Sequence, residues 1–156
     1  MIQVFLNPDK DPMGSGYQLN QSLIAIGSGG FFGLGLGMSI QKLGFLPQSV
    51  ADAIFAVFAE ETGFAGAIFL ISLFLLFFWQ GLKIIFNVKD VFLQLLALGI
   101  ICWIMIQTFV NIGAMIGLLP LTGVPMPFIS YGGSALMIEL AAMGILLNIS
   151  KIIQKS

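Results

Sequence analysis

The sequence predicts an all-α polytopic membrane protein, and three observations carry that prediction. Of its 156 residues, 58% are hydrophobic, and the mean hydropathy is +1.05. Charged residues make up only 8%, against roughly 25% in ordinary soluble domains. Three apolar stretches, each near the roughly 20 residues a helix needs to cross hydrocarbon, recur along the chain.

Composition also excludes. Six lysines and seven acidic residues, with no arginine or histidine, give a net charge of -1. No basic stripe points to nucleic acid, and no imidazole is present for acid–base or metal chemistry. Polar chemistry therefore falls to carboxylates and lysines. Cys102 lies in an apolar run and reads as a small packing residue, and a lone cysteine allows no internal disulfide. Residues 1–8 lack a basic region followed by an apolar core, so no cleavable leader is read there; insertion is expected to use the chain's own spans or upstream ones.

In chain order, "MIQVFLNPDKDPMGSG" (1–16) is rich in Pro, Gly and Asp and reads as an aqueous loop. Residues 17–26 place Leu19, Leu23 and Ile26 at helical spacing with Gln18, Gln21 and Ser22 elsewhere. This amphipathic helix is too short to span. It either lies at the membrane interface with Tyr17 among the headgroups or packs on the protein as an ordinary loop helix. Gly29, Gly33 and Gly37 then recur every four residues. Without a GK[ST] ending or a βαβ setting a phosphate loop is the weaker reading, and they read first as sites of close backbone packing or tight turns.

Residues 1–52 are thus expected to form a large external loop, and 53–156 a three-span bundle. The spans are read at 53–78, 91–115 and 134–149, the last extending by about a turn each way. Lys83 and Lys89 flank the first connection and Lys151 and Lys155 follow the last span. The positive-inside rule places that connection and the C-terminus in the cytoplasm. The N-terminal loop, Asp52 and the loop at 120–133 then fall on the external face. That second loop carries Pro120, Pro125, Pro127 and the Gly132-Gly133 pair. Irregular backbone near a bilayer is tolerated where protein buries it or where it lines a wet cavity.

Asp52 follows "PQSVA" at a position suited to a helix N-terminus, where its carboxylate can accept unpaired backbone N–H groups. Glu60 and Glu61 lie deeper, where ionisable groups are costly and either glue helices together or face a cavity. On a continuous helix Asp52 and Glu60 are about 12 Å apart along the axis, beyond the roughly 5–9.5 Å of a glycosidase pair. Glu61 points about 180° away from Asp52. One general base with other groups in support fits better than a carboxylate couple.

Three stretches, "NPDKDPMGSGYQLNQSLIAIGSGGFFGLGLGMSIQKLGFLP", "DAIFAVFAEETGFAG" and "NIGAMIGLLPLTGVPMPFISYGGSAL", resemble in order and spacing the C-terminal part of the SEDS family, the FtsW, RodA and SpoVE cell-wall polymerases. The loop "NPDKDPMGSGYQLNQS" is most similar to the FtsW branch. The resemblance implies a ten-span fold, of which this chain supplies the last three spans, the preceding external loop and a re-entrant loop. It implies a fragment of a peptidoglycan glycosyltransferase of the bacterial cytoplasmic membrane, serving cell division or elongation and inactive by itself. The reaction would polymerise lipid II on the external face and release undecaprenyl pyrophosphate. Implied partners are lipid II, undecaprenyl-linked glycan, a class B penicillin-binding transpeptidase and other divisome or elongasome membrane proteins. A divalent cation, Mg or Mn, is the implied cofactor.

Residue by residue, the resemblance puts the catalytic aspartate at Asp52, within "LPQSVADAIF". Its role would be removal of a proton from the acceptor sugar hydroxyl. Lys42 matches a basic position and would offset the charge of the departing pyrophosphate. Gln21, Ser130, Gly132, Gly133 and Ser134 are expected at the substrate, although Ser130 and Ser134 suit helix capping equally. Glu60, Glu61, Pro127 and Asn111 are expected to shape the cavity. Two departures stand out. Gln48, Val50 and Ala51 occupy positions where the family commonly has Glu, His and Thr. Glu139 stands where an apolar or small residue is expected, within reach of Gln107 or Asn111. Two other functions stay open: translocation of lipid II without chemistry, and a non-enzymatic scaffold docking a transpeptidase, with Gly113 and Gly117 allowing close helix approach.

Overall fold

The computed structural model describes residues 15–35, 37 and 53–155. Asp52, Lys42, Gln48, Val50 and Ala51 lie outside the described residues, as does the surrounding loop. Four helices follow one another: α1 (Ser15–Ser28), α2 (Ile54–Asn87), α3 (Val91–Met115) and α4 (Gly133–Lys155). The last three are long and apolar enough to cross a membrane, so the chain is a multi-pass membrane protein.

The predicted second span coincides with α3, α2 is longer than expected, and the third span is extended as expected, mainly at its C-terminal end. α4 begins one residue earlier and continues to Lys155. α2 runs on to Asn87, because Gln80, Lys83 and Asn87 are compatible with helix and only their polarity marked the end. At 1.5 Å per residue, 34 helical residues would measure about 51 Å, well beyond a hydrocarbon core of about 30 Å. The excess is resolved at Gly63, whose φ of 71° and ψ of -169° break the helix. Counting roughly 20 residues back from Lys83 reaches this break. The outer piece, residues 54–62, therefore stands at the membrane boundary away from Lys83, and the span proper follows it.

α2 and α3 form the principal packed pair, joined by a turn too short for anything but an antiparallel arrangement. Asp90 starts α3 by accepting from the backbone N–H of Phe92 at 2.8 Å and of Leu93 at 3.4 Å, an N-cap of the kind worth about 1 kcal/mol. Gln94 Nε2 donates to the Ile85 carbonyl at 3.2 Å and ties the turn. At Gly81 a Cβ would meet the side chain of Ile101, so Ile101 packs against the backbone of α2 where that helix has no side chain. An apolar cluster joins Phe74, Ile101 and Ile104 from this pair with Leu146 and Ile149 of α4.

The same end of the bundle collects the lysines. Lys83 Nζ sits 4.5 Å from the Trp79 ring centroid, a cation–π contact of interfacial character. The C-terminal part of α4 meets the α2–α3 turn around Lys89, Ile149 and Ile153.

α1 is seated on α2 and α3 and does not stand clear of them. Leu19, Ser22 and Ala25 are buried, while Leu23 and Ile24 remain exposed on its outward side. Ser22 Oγ donates to the Gln18 carbonyl at 2.9 Å and lies 3.6 Å from Met115 Sδ. Packing against the protein, one of the two placements open from the sequence, is thus observed.

Candidate functional site

The unusual backbone of the chain gathers at the end opposite the lysines, in two constructions. The first is a splice between the glycine-rich segment after α1 and the break in α2. Leu34 N–H donates to the Glu60 carbonyl at 3.0 Å and Gly35 N–H to the Glu61 carbonyl at 3.1 Å. In return Phe64 N–H donates to the Gly30 carbonyl at 2.9 Å and Ala65 N–H to the Phe31 carbonyl at 3.2 Å. The groups released by breaking the helix are satisfied by the inserted segment, as a low-dielectric setting demands.

Close approach of the two backbones makes glycine obligatory here. A Cβ on Gly33 would collide with the Glu61 carbonyl, and one on Gly63 with Gly33 N and the Phe31 carbonyl group. Both residues also have positive φ. A Cβ on Gly29 would meet the Ala59 carbonyl. The packing role expected for Gly29 and Gly33 is thus observed, whereas Gly37 has open space and only a positive φ.

The carboxylates of the splice differ. Glu60 is buried at 1% exposure and is engaged by a partner. Glu61 is half-buried, with Oε1 shielded from solvent and taking no hydrogen bond from the described residues. Beside the splice an apolar cavity of ≈ 310 Å³ opens between Ile26 of α1, Phe55, Ala59 and Phe64 of α2, Ile112 of α3 and Ile116 just after it.

The second construction is the loop between α3 and α4. Two amides from α3 hold consecutive carbonyls of it: Gln107 Nε2 donates to Pro125 O at 2.9 Å, and Asn111 Nδ2 to Val124 O at 2.7 Å. These residues are one turn apart on one helix face. Within the loop, Ser130 Oγ accepts from Met126 N–H at 2.6 Å while Ser130 N–H donates to Met126 O at 3.1 Å. Pro127 is fully buried between them. Glu139 Oε2 accepts from Phe128 N–H at 2.8 Å. The expectation that Glu139 faces Gln107 or Asn111 is corrected: all three grip the same loop, at different backbone groups.

Among the remaining sequence-derived residues, Gln21 is half-exposed on α1. The Gly132 carbonyl accepts from Leu136 N–H at 2.9 Å and leads into α4, whose exposed first residues are Gly133 and Ser134. Gly113 and Gly117 are not open to a partner helix on the sides their Cβ atoms would occupy. A Cβ on Gly113 would meet Leu119 of the same chain, and Gly117, with φ of 75°, faces Leu19 and Leu23 of α1. The break at Gly63 and the loop role of Gln107 escaped the sequence reading. A glycine interrupting a long apolar segment is the signal that could have marked the first.

Asn111→Leu is expected to remove the part-buried hydrogen bond to the Val124 carbonyl and leave that carbonyl without this donor, at a cost of about 1–3 kcal/mol. Limited proteolysis in detergent should then cut the 120–131 loop faster while leaving the α2–α3 turn as resistant as before. Equal protection of the loop in both proteins would show that the amide is dispensable.

The fold and this end of it define a class: a helical membrane protein that builds an ordered backbone structure from glycine and proline segments at one membrane face. The comparisons carry the identification further. Residues 1–155 match the FtsW/RodA/SpoVE family model, described as a cell cycle protein, and the chain belongs to that family. It is 48% identical over 150 residues to stage V sporulation protein E of Bacillus subtilis (strain 168), covering 96% of this chain and 41% of that protein. It is 51% identical over 150 residues to the probable peptidoglycan glycosyltransferase FtsW of the same organism, covering 96% and 37%. A chain of a solved peptidoglycan synthase complex, studied for how it coordinates polymerization and crosslinking, matches with a TM-score of 0.82 at 26% identity. That match covers 99% of this chain and 42% of the other. The chain thus spans about two fifths of the length of the relatives it matches.

Proposed function

We infer that this chain is the C-terminal, external-face portion of a lipid II polymerase acting in cell division or elongation. The observation that carries the reading is the match of nearly the entire chain to a peptidoglycan synthase chain, joined to the family match over residues 1–155. The apolar cavity of ≈ 310 Å³ beside the splice supports a substrate with a hydrocarbon tail. Loop and splice at the end opposite the lysines support an external, re-entrant arrangement within a ten-span fold in the bacterial cytoplasmic membrane. A class B penicillin-binding transpeptidase is the proposed partner.

In this mechanism Asp52 takes the proton from the acceptor sugar hydroxyl, whose oxygen attacks the anomeric carbon of the donor. The bond from that carbon to the pyrophosphate oxygen breaks, and undecaprenyl pyrophosphate departs with its charge offset by Lys42. Magnesium is commonly held by one or two carboxylates plus substrate phosphate oxygens, with no dedicated protein cage. That pattern is compatible with Asp52 beside a pyrophosphate, and among the described residues no three carboxylate or cysteine side chains converge as a metal site.

The test is incorporation of labelled lipid II into glycan strands by the native protein isolated from its own membranes. Strands resistant to extraction as monomer are expected. Transfer of labelled lipid II across vesicle membranes without strand formation would replace this reading by translocation. Tight retention of the transpeptidase with neither activity would replace it by a scaffold.

A further inference from the structure

Glu139 is a buried carboxylate, 3% exposed, on a membrane-spanning helix where the family resemblance leads one to expect an apolar or small residue. It lies six residues beyond Gly133, about 9 Å along the α4 axis. A charged or polar group at such a site is costly unless it is well partnered, and its partner is specific: the backbone N–H of Phe128 at 2.8 Å.

Phe128 is the only non-glycine residue with positive φ among the described residues, at 64°. A phenylalanine in that region carries a steric cost that its surroundings must offset. Pro127 has no N–H, so the Phe128 amide is the first after Met126 able to fix the turn from outside it. Met126 and Ser130 close the turn on itself through two hydrogen bonds. Glu139 anchors the turn to α4.

What the turn carries outward is chemically apt. Tyr131 is 93% exposed and follows Ser130 directly, next to the Gly132-Gly133 pair. An exposed tyrosine ring with a hydroxyl at its edge offers a flat apolar face for a sugar ring and a hydrogen-bonding group for its hydroxyls. Its direction depends on the turn, and the turn's conformation depends on the Phe128 amide.

We propose that Glu139 is a positioning residue for the saccharide part of the substrate, its buried carboxylate fixing the 126–130 turn so that Tyr131 stands at the external mouth. The proposal rests on the polymerase reading for its substrate but not for its structural half. Two arms separate them. Hydrogen exchange of the Phe128 amide in native membranes is expected to speed up about 10-fold or more in Glu139→Met, since the carboxyl acceptor of its hydrogen bond is lost. Glu139→Gln, whose amide oxygen still accepts, should stay within about threefold of the parent. Unchanged exchange in Glu139→Met would overturn the anchor. In the polymerisation assay, Glu139→Met and Tyr131→Ala are expected to raise KM about 10-fold with kcat within about twofold, as for loss of uniform binding. Glu139→Gln should restore KM. A loosened amide with unchanged KM would overturn the substrate role. An inactive parent protein would sink the polymerase reading and the substrate role with it, while the exchange arm would still decide the anchor.

Discussion

Asp52→Asn is expected to lower the rate of glycan-strand formation by about 10²- to 10⁴-fold, the range that a positioned general base ordinarily contributes. The substitution preserves shape and removes the ability to accept a proton, so folding and binding should be little affected. Strand formation from lipid II, measured on the native protein beside the variant, reads the rate, and retention of the partner transpeptidase checks the fold. If the variant polymerises at more than about a tenth of the parent rate, the base lies elsewhere. Translocation has no proton to move at an anomeric centre, so a flipping rate indifferent to Asp52→Asn would favour that alternative. The departures at Gln48, Val50 and Ala51 give the experiment added value. A large effect would mean that Asp52 serves as base without the Glu, His and Thr that commonly precede it in the family.

The second large effect is expected at the splice. Gly63→Val should cost on the order of 4 kcal/mol or more, combining the strain of a positive φ with detachment of hydrogen bonds between the two segments. Against a total stability of roughly 5–15 kcal/mol this is severe, and Gly33→Ala should follow it closely because its Cβ would land on the Glu61 carbonyl. The measurement is loss of the folded protein on heating in detergent, with Gly99→Ala as control. Gly99 is helical and exposed, and a Cβ there meets nothing within 4 Å, so that change should be neutral or stabilising by up to about 1 kcal/mol. Equal thermal profiles for Gly63→Val and Gly99→Ala would mean that the splice contributes nothing to stability.

These two outcomes bear on different parts of the site. Asp52 is assigned through a motif match, and its chemistry is local. The splice acts at a distance: it fixes how the outer piece of α2, which begins two residues after Asp52, is joined to the span. A helix that ran unbroken through residue 63 would carry its outer end straight outward. The break, held by four backbone hydrogen bonds, lets that end follow its own direction.

Hydropathy and charge placement alone determined that this chain crosses a membrane three times and which end collects the lysines. A span must satisfy a simple one-dimensional requirement, enough apolar residues in a row, and α3 accordingly appeared at its predicted bounds. Motif spacing likewise determined the family, because several long stretches in fixed order leave few alternatives. Tertiary structure alone decided where α2 breaks, what the glycines at 29, 33 and 63 are for, and which backbone group Glu139 holds. Gly63 looks like any glycine in an apolar run until the segment carrying Gly33 is laid against it. Glu139 looks like an unpaired charge until the Phe128 amide arrives from eleven residues earlier. The physical reason is that a backbone group freed from a helix must find its partner in space, and no local pattern along the chain says where that partner will come from.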